Sequence, residues 1–345
     1  MTSWQNEIKK CITSGKQLAQ ELDCAEEDIA TVTKHYPMRI TPYYLDLIKN
    51  AGTPLYKQAV PDMRELHDEL GMEDPLGEEN LSPVPNLVHK YPDRALFLVC
   101  SECAVYCRFC TRKRKVGRPE MVITNKTIEE GLDYLKKTPA IREVLISGGD
   151  PLLLSDDRLE SILARLKKIS TIEVIRIGTR VPCTLPMRIT PELVKMLKKY
   201  HPLYINTHFN HPAEITNLAS HACTLLADAG IPLGCQTVLL RGVNDSPEIL
   251  KELFCKLLQI RVKPYYLFQG DLTRGTGHFR TRIETGLSIM KKLIGNTSGM
   301  AVPTYALDAP GGKGKIPLTP EYITSLGDTL DFVSYKNLPC SYPNR

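Results

Sequence analysis

The sequence has no apolar run approaching the ~18 residues that a membrane-spanning helix requires, so no transmembrane segment is expected. It also lacks an apolar stretch near the start of the kind that marks a secretory signal; Met1 to Lys16 is polar and reads as an amphipathic helix. There is no internal repeat and no low-complexity segment, which argues against a repeat array or a disordered tract. Charge of one sign is not in large excess: the net charge is +5 and the pI about 8.5, weak ground for a nucleic-acid partner. A Walker A loop is also missing. The lysines near the C-terminus sit in Gly311-Gly312-Lys313-Gly314-Lys315, no Gly-x4-Gly-Lys-Ser/Thr frame fits, and Ile316 follows.

What is present points elsewhere. The chain has 345 residues, 42% of them hydrophobic, enough for one large domain with an extension or for two domains. The 11 cysteines are an odd number in a long chain without a visible signal. A reducing cytoplasm is the expected compartment, where cysteines serve as ligands or core residues more often than as disulfides.

The chemistry starts at Cys103-Ala104-Val105-Tyr106-Cys107-Arg108-Phe109-Cys110, a C-x3-C-x2-C stretch. Three thiols so close together cannot lie along one regular strand and face one point, so this is a loop folded around something. The apolar run Arg94 to Cys100 leads into it as a buried strand. A structural zinc wants four ligands, usually two close pairs separated by a long loop. Pairing Cys100 with Cys103 and Cys107 with Cys110 leaves too short a separation. Three cysteines suit a 4Fe–4S cluster with one iron open to a substrate, although four-cysteine ligation is commoner. Reduced thiols in a crowded loop are the plain alternative. The basic run Arg112-Lys113-Arg114-Lys115 follows directly; a solvated face, a nucleic-acid patch and anion binding beside the cluster are all open.

Residues 1–90 read as a helical region, with helical patterns around Trp4–Leu22 and Pro42–Asn50, followed by an irregular connector rich in proline and acids. From Arg94 onward strands and helices alternate. Strands are expected at 95–100, 143–147, 173–178, 203–207, 233–239 and 263–268. Helices are expected at 127–137, 157–168, 191–200, 214–229, 247–258 and 281–294, with Asp156 and Ser246 as N-caps and Gly230 as a C-terminal stop. Six such units imply an α/β fold with a parallel sheet, either open and doubly wound or a curved, incomplete barrel. Most of these strands end in polar residues: the cysteine loop, Ser147-Gly148-Gly149-Asp150, Asn206 to His211, Gln236 along the fifth, and Gln269-Gly270-Asp271. Parallel α/β enzymes build sites on such a rim.

Three further groups stand out. The stretch Asp308 to Lys315 has glycines that permit close approach to a ligand and two lysines that could contact phosphate or form a Schiff base with a carbonyl cofactor; chemistry does not separate Lys313 from Lys315, and a solvated surface loop is the alternative. Asp271 and Asp308, if they converge in a partly buried pocket, would attract an ammonium group; otherwise they are turn residues. His208 and His211 read as hydrogen-bonding rim histidines or, less simply, metal ligands.

With the cysteine loop and the glycine–lysine loop both in view, the chain resembles the lysine 2,3-aminomutases of the radical S-adenosylmethionine superfamily. The resemblance runs from about Leu81 to about Thr319. It rests on His89-Lys90-Tyr91-Pro92-Asp93-Arg94, the cysteine loop with Thr111-Arg112, Ser147 to Asp150, Asn206 to Pro212, Leu239 to Asp245 and Asp308 to Lys315. It implies a partial (βα)6 TIM-like barrel of the radical SAM type with a helical N-terminal extension. Its parts would be the N-terminal region and connector at 1–90, the barrel at 91–300, and a segment at 301–345 carrying the cofactor lysine.

It also implies roles. Cys103, Cys107 and Cys110 would hold the 4Fe–4S cluster, whose open iron takes S-adenosylmethionine. Phe109 would lie by the adenine, and Gly148, Gly149 and Asp150, with His208 and Gln236, would line the cofactor's methionine end. Lys315 would carry pyridoxal phosphate, with Lys90, Tyr91 and Arg94 around it; the family usually has arginine where Lys90 stands. Arg112 would clamp the substrate carboxylate, and Asp271 and Asp308 the ε-ammonium of lysine. A 5′-deoxyadenosyl radical would take hydrogen from the β-carbon while the amino group migrates from the α- to the β-carbon, giving β-lysine. Longer members bind a structural zinc between subunits through a cysteine-rich tail. Here Cys340 is the one cysteine after Lys315, and Ser246 stands where those members place another zinc cysteine, so no structural zinc is expected and a homo-oligomer is left open. A flavodoxin or ferredoxin would supply electrons; no nucleic acid and no membrane are expected as partners. Arginine as substrate, or β-lysine supply for elongation factor P modification, is the alternative within this chemistry, although that pathway's enzymes usually lack the aspartate at Asp308. A non-catalytic iron–sulfur or nucleic-acid-binding protein is the alternative outside it.

Overall fold

The computed structural model describes residues 3–344. The first two residues of the expected Met1–Lys16 helix therefore lie outside the described residues. The remainder of the Trp4–Leu22 pattern is two helices, α1 (Ser3–Lys9) and α2 (Gly15–Ala19). Ser14 separates them by capping α2, and Ile12 leaves the helical path to bridge Ile40. Helices α3 (Glu26–Thr33), α4 (Pro42–Ala51) and α5 (Thr53–Ala59) follow. Thr41 starts α4 in two directions at once: its hydroxyl accepts from Tyr44 N and donates to Thr184 O of the barrel.

The barrel is a nine-stranded curved sheet whose spatial order is its sequence order. At its edge β1 (Leu87–Tyr91) runs antiparallel to β2 (Arg94–Cys100). Then β3 (Glu143–Gly148), β4 (Val174–Gly178), β5 (Leu203–Thr207), β6 (Leu233–Leu239) and β7 (Val262–Gln269) continue in parallel. These are the six expected strands. β8 (Thr304–Ala309) extends the parallel set, and β9 (Gly314–Pro317) turns back antiparallel. β1 and β9 are not paired with each other, so the barrel stays open. The sequence reading missed β1, β8 and β9. A small separate sheet of β10 (Ile323–Leu326), β11 (Thr329–Val333) and β12 (Pro339–Pro343) was also unread.

The crossover helices are α6 (Asn125–Lys137), α7 (Asp156–Lys167), α8 (Val181–Thr184), α9 (Pro191–Leu197), α10 (Asn217–Asp228), α11 (Pro247–Gln259) and α12 (Ile283–Leu293). Ser246 caps α11 as expected. The cap of α7 is Ser155, not Asp156, which is the first helical residue and complements the helix dipole there. α10 starts later than expected because Pro212 opens a separate 3-10 turn and Thr216 supplies the cap. Gly230 ends it with a φ of +77°.

One hydrophobic core runs from Trp4 through the barrel to Tyr305, so α1–α5 pack onto the barrel wall. Their contribution to the site is specific. The cysteine loop after β2 has no helix or strand of its own up to Arg112. It is held from outside: Tyr106 N donates to Arg39 O, and Arg108 N donates to Gln58 O. Arg108 then plunges into the N-terminal region. Its Nε donates to Glu65 Oε1 at 2.9 Å and its Nη1 to Pro37 O at 2.8 Å, while Lys113 Nζ reaches Glu65 Oε2 at 2.6 Å. The side chains of Arg108 and Glu65 are 2% and 0% exposed. Burial pushes the Glu65 carboxyl up, but Arg108 and Lys113 outweigh it and hold it below the usual range.

Removing one partner of a buried pair leaves an uncompensated charge, at a cost of about 3–5 kcal/mol. Arg108→Met is expected to lower the unfolding free energy by about that much, read by urea denaturation followed by circular dichroism. A loss of less than about 1 kcal/mol, the range of an exposed pair, would show that the pair does not hold the loop.

Candidate active site

The C-terminal ends of the parallel strands meet at one rim, over a cavity of about 410 Å³. Every residue to which the family resemblance gives a role lines it: Lys90, Tyr91, Arg94, Cys103, Cys107, Phe109, Cys110, Arg112, Gly148, Gly149, Asp150, His208, Gln236, Asp271, Asp308 and Lys315. His211 does not; its Nδ1 accepts from Ala213 N and starts the 3-10 turn before α10. Lys313 does not either, and is exposed.

The cysteines sort themselves. Of the four between 100 and 110, Cys103, Cys107 and Cys110 face the cavity, while Cys100 turns its thiol to Glu102 O. Among the described residues no three Cys, His, Asp or Glu side chains are close enough to hold a single metal ion. Three thiols spread around one cavity wall suit the corners of a polynuclear cluster better. Burial pushes the Cys110 thiol up to about 11 and the Cys103 thiol well above its ordinary value, the latter helped by Asp150 and the neighbouring thiols. Such thiols become ligands when a metal displaces the proton.

The glycines at the end of β3 have a reason the sequence did not supply. A Cβ on Gly148, at φ +134°, would stand 2.1 Å from Cys100 O, and one on Gly149 would stand 2.3 Å from Glu102 O. Gly149 N and Asp150 N donate to those same two carbonyls at 2.6 and 2.7 Å. The pair lets β3 lock the first turn of the cysteine loop. Asp150 is buried and spent on structure, accepting from Thr179 Oγ1 at 2.6 Å and from Arg180 N at 2.7 Å.

At the opposite side of the cavity the β8–β9 hairpin sets Asp308 directly across from Lys315. Lys315 Nζ donates to Asp308 Oδ2 at 2.8 Å, and Lys90 Nζ donates to Oδ1 at 2.7 Å. Tyr91 OH accepts from Lys315 N at 3.2 Å, and Arg94 stacks on the Tyr91 ring at 3.9 Å. Burial raises the Asp308 carboxyl, but the two lysines outweigh it and keep it low. Asp271, past the end of β7, is pushed up to about 7 by burial and by the Asp308 charge. Both carboxylates line the cavity, and the charge on Asp308 helps to raise Asp271.

The basic run is not a free face. Arg112 grips Glu78 through Nε at 3.0 Å and Nη2 at 2.6 Å, Lys113 is on Glu65, Arg114 reaches Asp74 at 3.0 Å, and Lys115 reaches Glu79 at 3.1 Å. The run's charges are paired within the chain. The acids belong to the connector, which is a strap and not a spacer. Its Met72 N donates to Leu272 O beside Asp271, and its Pro75 O accepts from Gly311 N in the turn before Lys315. Glu78 was missed because nothing in a run of acids and prolines marks one glutamate.

Arg180 was missed as well. It follows β4 and lines the cavity, where its Nη1 approaches Cys107 Sγ at 2.7 Å and its Nη2 donates to Glu214 Oε1 at 2.7 Å. The rim rule applied to the strand 173–178 would have found it. His208 is pushed down to about 4 by burial and by the Arg180 charge, so it is neutral here.

A radical SAM superfamily model matches residues 98–253, and a lysine-2,3-aminomutase model matches residues 290–338. Fold and site together define a radical SAM protein, which implies a 4Fe–4S cluster and S-adenosylmethionine. L-lysine 2,3-aminomutase of Clostridium subterminale is 50% identical over 328 residues, 93% of this chain and 79% of that one. That of Methanococcus maripaludis is 50% identical over 347 residues, 98% and 80% of the two chains. A glutamate 2,3-aminomutase of Clostridioides difficile is 48% identical over 304 residues, 88% and 72% of the two. The chain belongs to the lysine 2,3-aminomutase family.

Gly148→Ala is expected to force the Cys100 carbonyl away, at a local strain of about 1–3 kcal/mol or more. Iron bound per chain after anaerobic reconstitution should fall to a minor fraction of wild type, with the circular dichroism spectrum retained. Full iron loading in this variant would refute the locking role.

Proposed function

We propose that the protein is an L-lysine 2,3-aminomutase, moving the α-amino group of L-lysine to the β-carbon. The observation that carries this is the acidic pair. Asp308 holds an amine, the Lys315 Nζ, at 2.8 Å, and Asp271 stands with it at the same end of the cavity. When Lys315 is engaged elsewhere, Asp308 is left with Lys90 and space for a second ammonium. A glutamate side chain would bring a third carboxylate to the same place. Lysine and glutamate enzymes are similar to the chain at nearly the same identity, so the acidic pair is what separates the two substrates in this reading.

In this reading Cys103, Cys107 and Cys110 would hold the cluster, and Phe109, Gly148, Gly149, His208 and Gln236 would bind S-adenosylmethionine. Lys315 carries pyridoxal phosphate, with Lys90, Tyr91 and Arg94 about it. The cofactors supply a hydrogen-abstracting radical and a conjugated system that stabilises the migrating nitrogen. The chain's own residues bind and orient. Arg112 offers a guanidinium for the substrate carboxylate, a geometry suited to bidentate contact. Its Nε–Nη2 edge lies on Glu78, so either its Nη1 serves the substrate or Glu78 yields. The apolar wall of Val238, Leu240 and Phe268 keeps water from the reacting carbons. A one-electron donor of the flavodoxin or ferredoxin class, in the cytoplasm, completes the system.

The deciding test is an anaerobic assay of protein reconstituted with iron, sulfide, S-adenosylmethionine and pyridoxal phosphate, offered lysine, arginine or glutamate. β-Lysine should form from lysine, and nothing from glutamate. Lys315→Ala should lose both turnover and the protein-bound pyridoxal absorbance. Preferred turnover of glutamate, or protein that loads iron but never pyridoxal phosphate, ends this reading.

The Asp271 carboxyl adds a pH signature. Above about 7 it is charged and below it is neutral, and a cationic side chain gains from the charged form alone. KM for lysine should therefore fall as pH rises through about 7, then level off. Asp271→Asn should flatten that profile and lower kcat/KM roughly ten- to hundredfold, the value of a hydrogen bond between charged groups. A pH-dependent KM that survives the substitution would assign the titration to another group.

A further inference from the structure

Arg180 is nearly buried and completely surrounded. Its guanidinium lies 5.2 Å from the Phe109 ring centre and 5.5 Å from that of Tyr44. Nη2 donates to Glu214 Oε1 at 2.7 Å and to Gln58 Oε1 at 2.6 Å; Nη1 points the other way, to Cys107 Sγ at 2.7 Å. The main chain is fixed too, because Arg180 N donates to Asp150. Glu214 is itself fully committed, accepting from Tyr44 OH, Asn210 N and His211 N. Among the described residues, Cys107 is the one cavity-lining thiol with a guanidinium bonded to its sulfur.

We propose that Arg180 tunes the iron–sulfur cluster through the Cys107 sulfur, favouring its reduced form. Reduction adds one electron from an external donor and breaks no bond, so the ligand sulfurs gain negative charge. A hydrogen-bonded guanidinium in a low-dielectric site stabilises that added charge, and hydrogen bonds to ligand sulfurs are an established lever on cluster potential. The charge facing the sulfur is set by the balance on the far side of Arg180. There Glu214 is the one acid bonded to it, Gln58 and Tyr44 are neutral, and the nearby His208 is neutral. Arg180 is thus a positioning and tuning residue: it acts on the chemistry through a ligand. The inference rests on Cys107 being a cluster ligand, which is part of the function proposed above.

The test is a redox titration of the reconstituted holoenzyme, followed by the electron paramagnetic resonance signal of the reduced cluster. Arg180→Gln should shift the midpoint potential to more negative values, and Arg180→Lys should shift it less. Gln58→Glu keeps Arg180 and its bond to sulfur but adds an anion on the far side, and should shift the potential negative as well. It keeps the test decisive if Arg180→Gln does not fold. Wild-type potentials in the iron-loaded Arg180→Lys and Gln58→Glu proteins would overturn the proposal. Cys107→Ala checks the premise separately: a full 4Fe–4S complement in that variant would refute the ligand assignment, whatever the potentials show.

Discussion

A loop that must present three thiols to one cavity cannot also satisfy itself. Residues 101–112 form no helix or strand, so their polar groups and their shape are supplied by other parts of the chain. The supply comes from three directions. The end of β3 meets the first turn through Gly149 and Asp150. The N-terminal region meets the second through Arg39, between α3 and α4, and Gln58 of α5. Glu65 meets the last through Arg108 and Lys113, both within or just past the cysteine motif. Arg108 sits between two candidate cluster ligands, so its burial fixes their relative placement. The N-terminal region is in this sense part of the cluster site.

The other half of the cavity depends on a register. In the β8–β9 hairpin Asp308 and Lys315 are cross-strand partners, which brings a carboxylate and an amine together without any long-range packing. A one-residue slip would turn Lys315 out of the cavity. The glycines of the connecting turn serve that register: Gly311 and Gly312 take φ of +73° and +77°, where other residues are strained, and their backbone packs on the strap at Pro75, Leu76 and Gly77. The strap therefore touches the Lys315 turn, the segment beside Asp271 and the Arg112 guanidinium. Two groups proposed for the substrate and one proposed for the cofactor are tied to a single stretch of chain.

The barrel was legible because its strands are apolar and bounded by turn residues, and its helices carry caps and a strong apolar face. Its edges were not. β1 and β8 end in polar or charged residues, His89-Lys90 and Asp308, and β9 begins in a glycine–lysine run that reads as loop. The site was legible for a similar reason: residues at strand ends are found once the strands are. Cys103, Asp150, His208 and Asp271 follow that rule, and so does Arg180, passed over because one arginine after a strand carries no motif. The acids that brace the site from outside the strand ends were invisible. Glu78, Glu65 and Glu214 are acids in stretches full of acids or turns. What singles them out is the cation each meets, which is a fact of tertiary structure. The same holds for Lys315 against Lys313: composition treats them alike, and strand register separates them.

The charge arrangement divides the cavity. In the proposed reading the cysteine loop, its supports and the Arg180–Glu214 network concern the cluster. In that reading substrate charge is felt by Asp271 and Asp308. Asp271 shows how finely that pair is set. With Asp308 ionised beside it, its carboxyl titrates near neutrality, so the pair is best completed by one more positive charge. An ammonium group arriving there relieves the repulsion between two carboxylates as well as making its own contacts. A neutral or anionic side chain offers no such relief. In the proposed reading, selectivity for a cation is therefore a property of the pair and not of either aspartate alone.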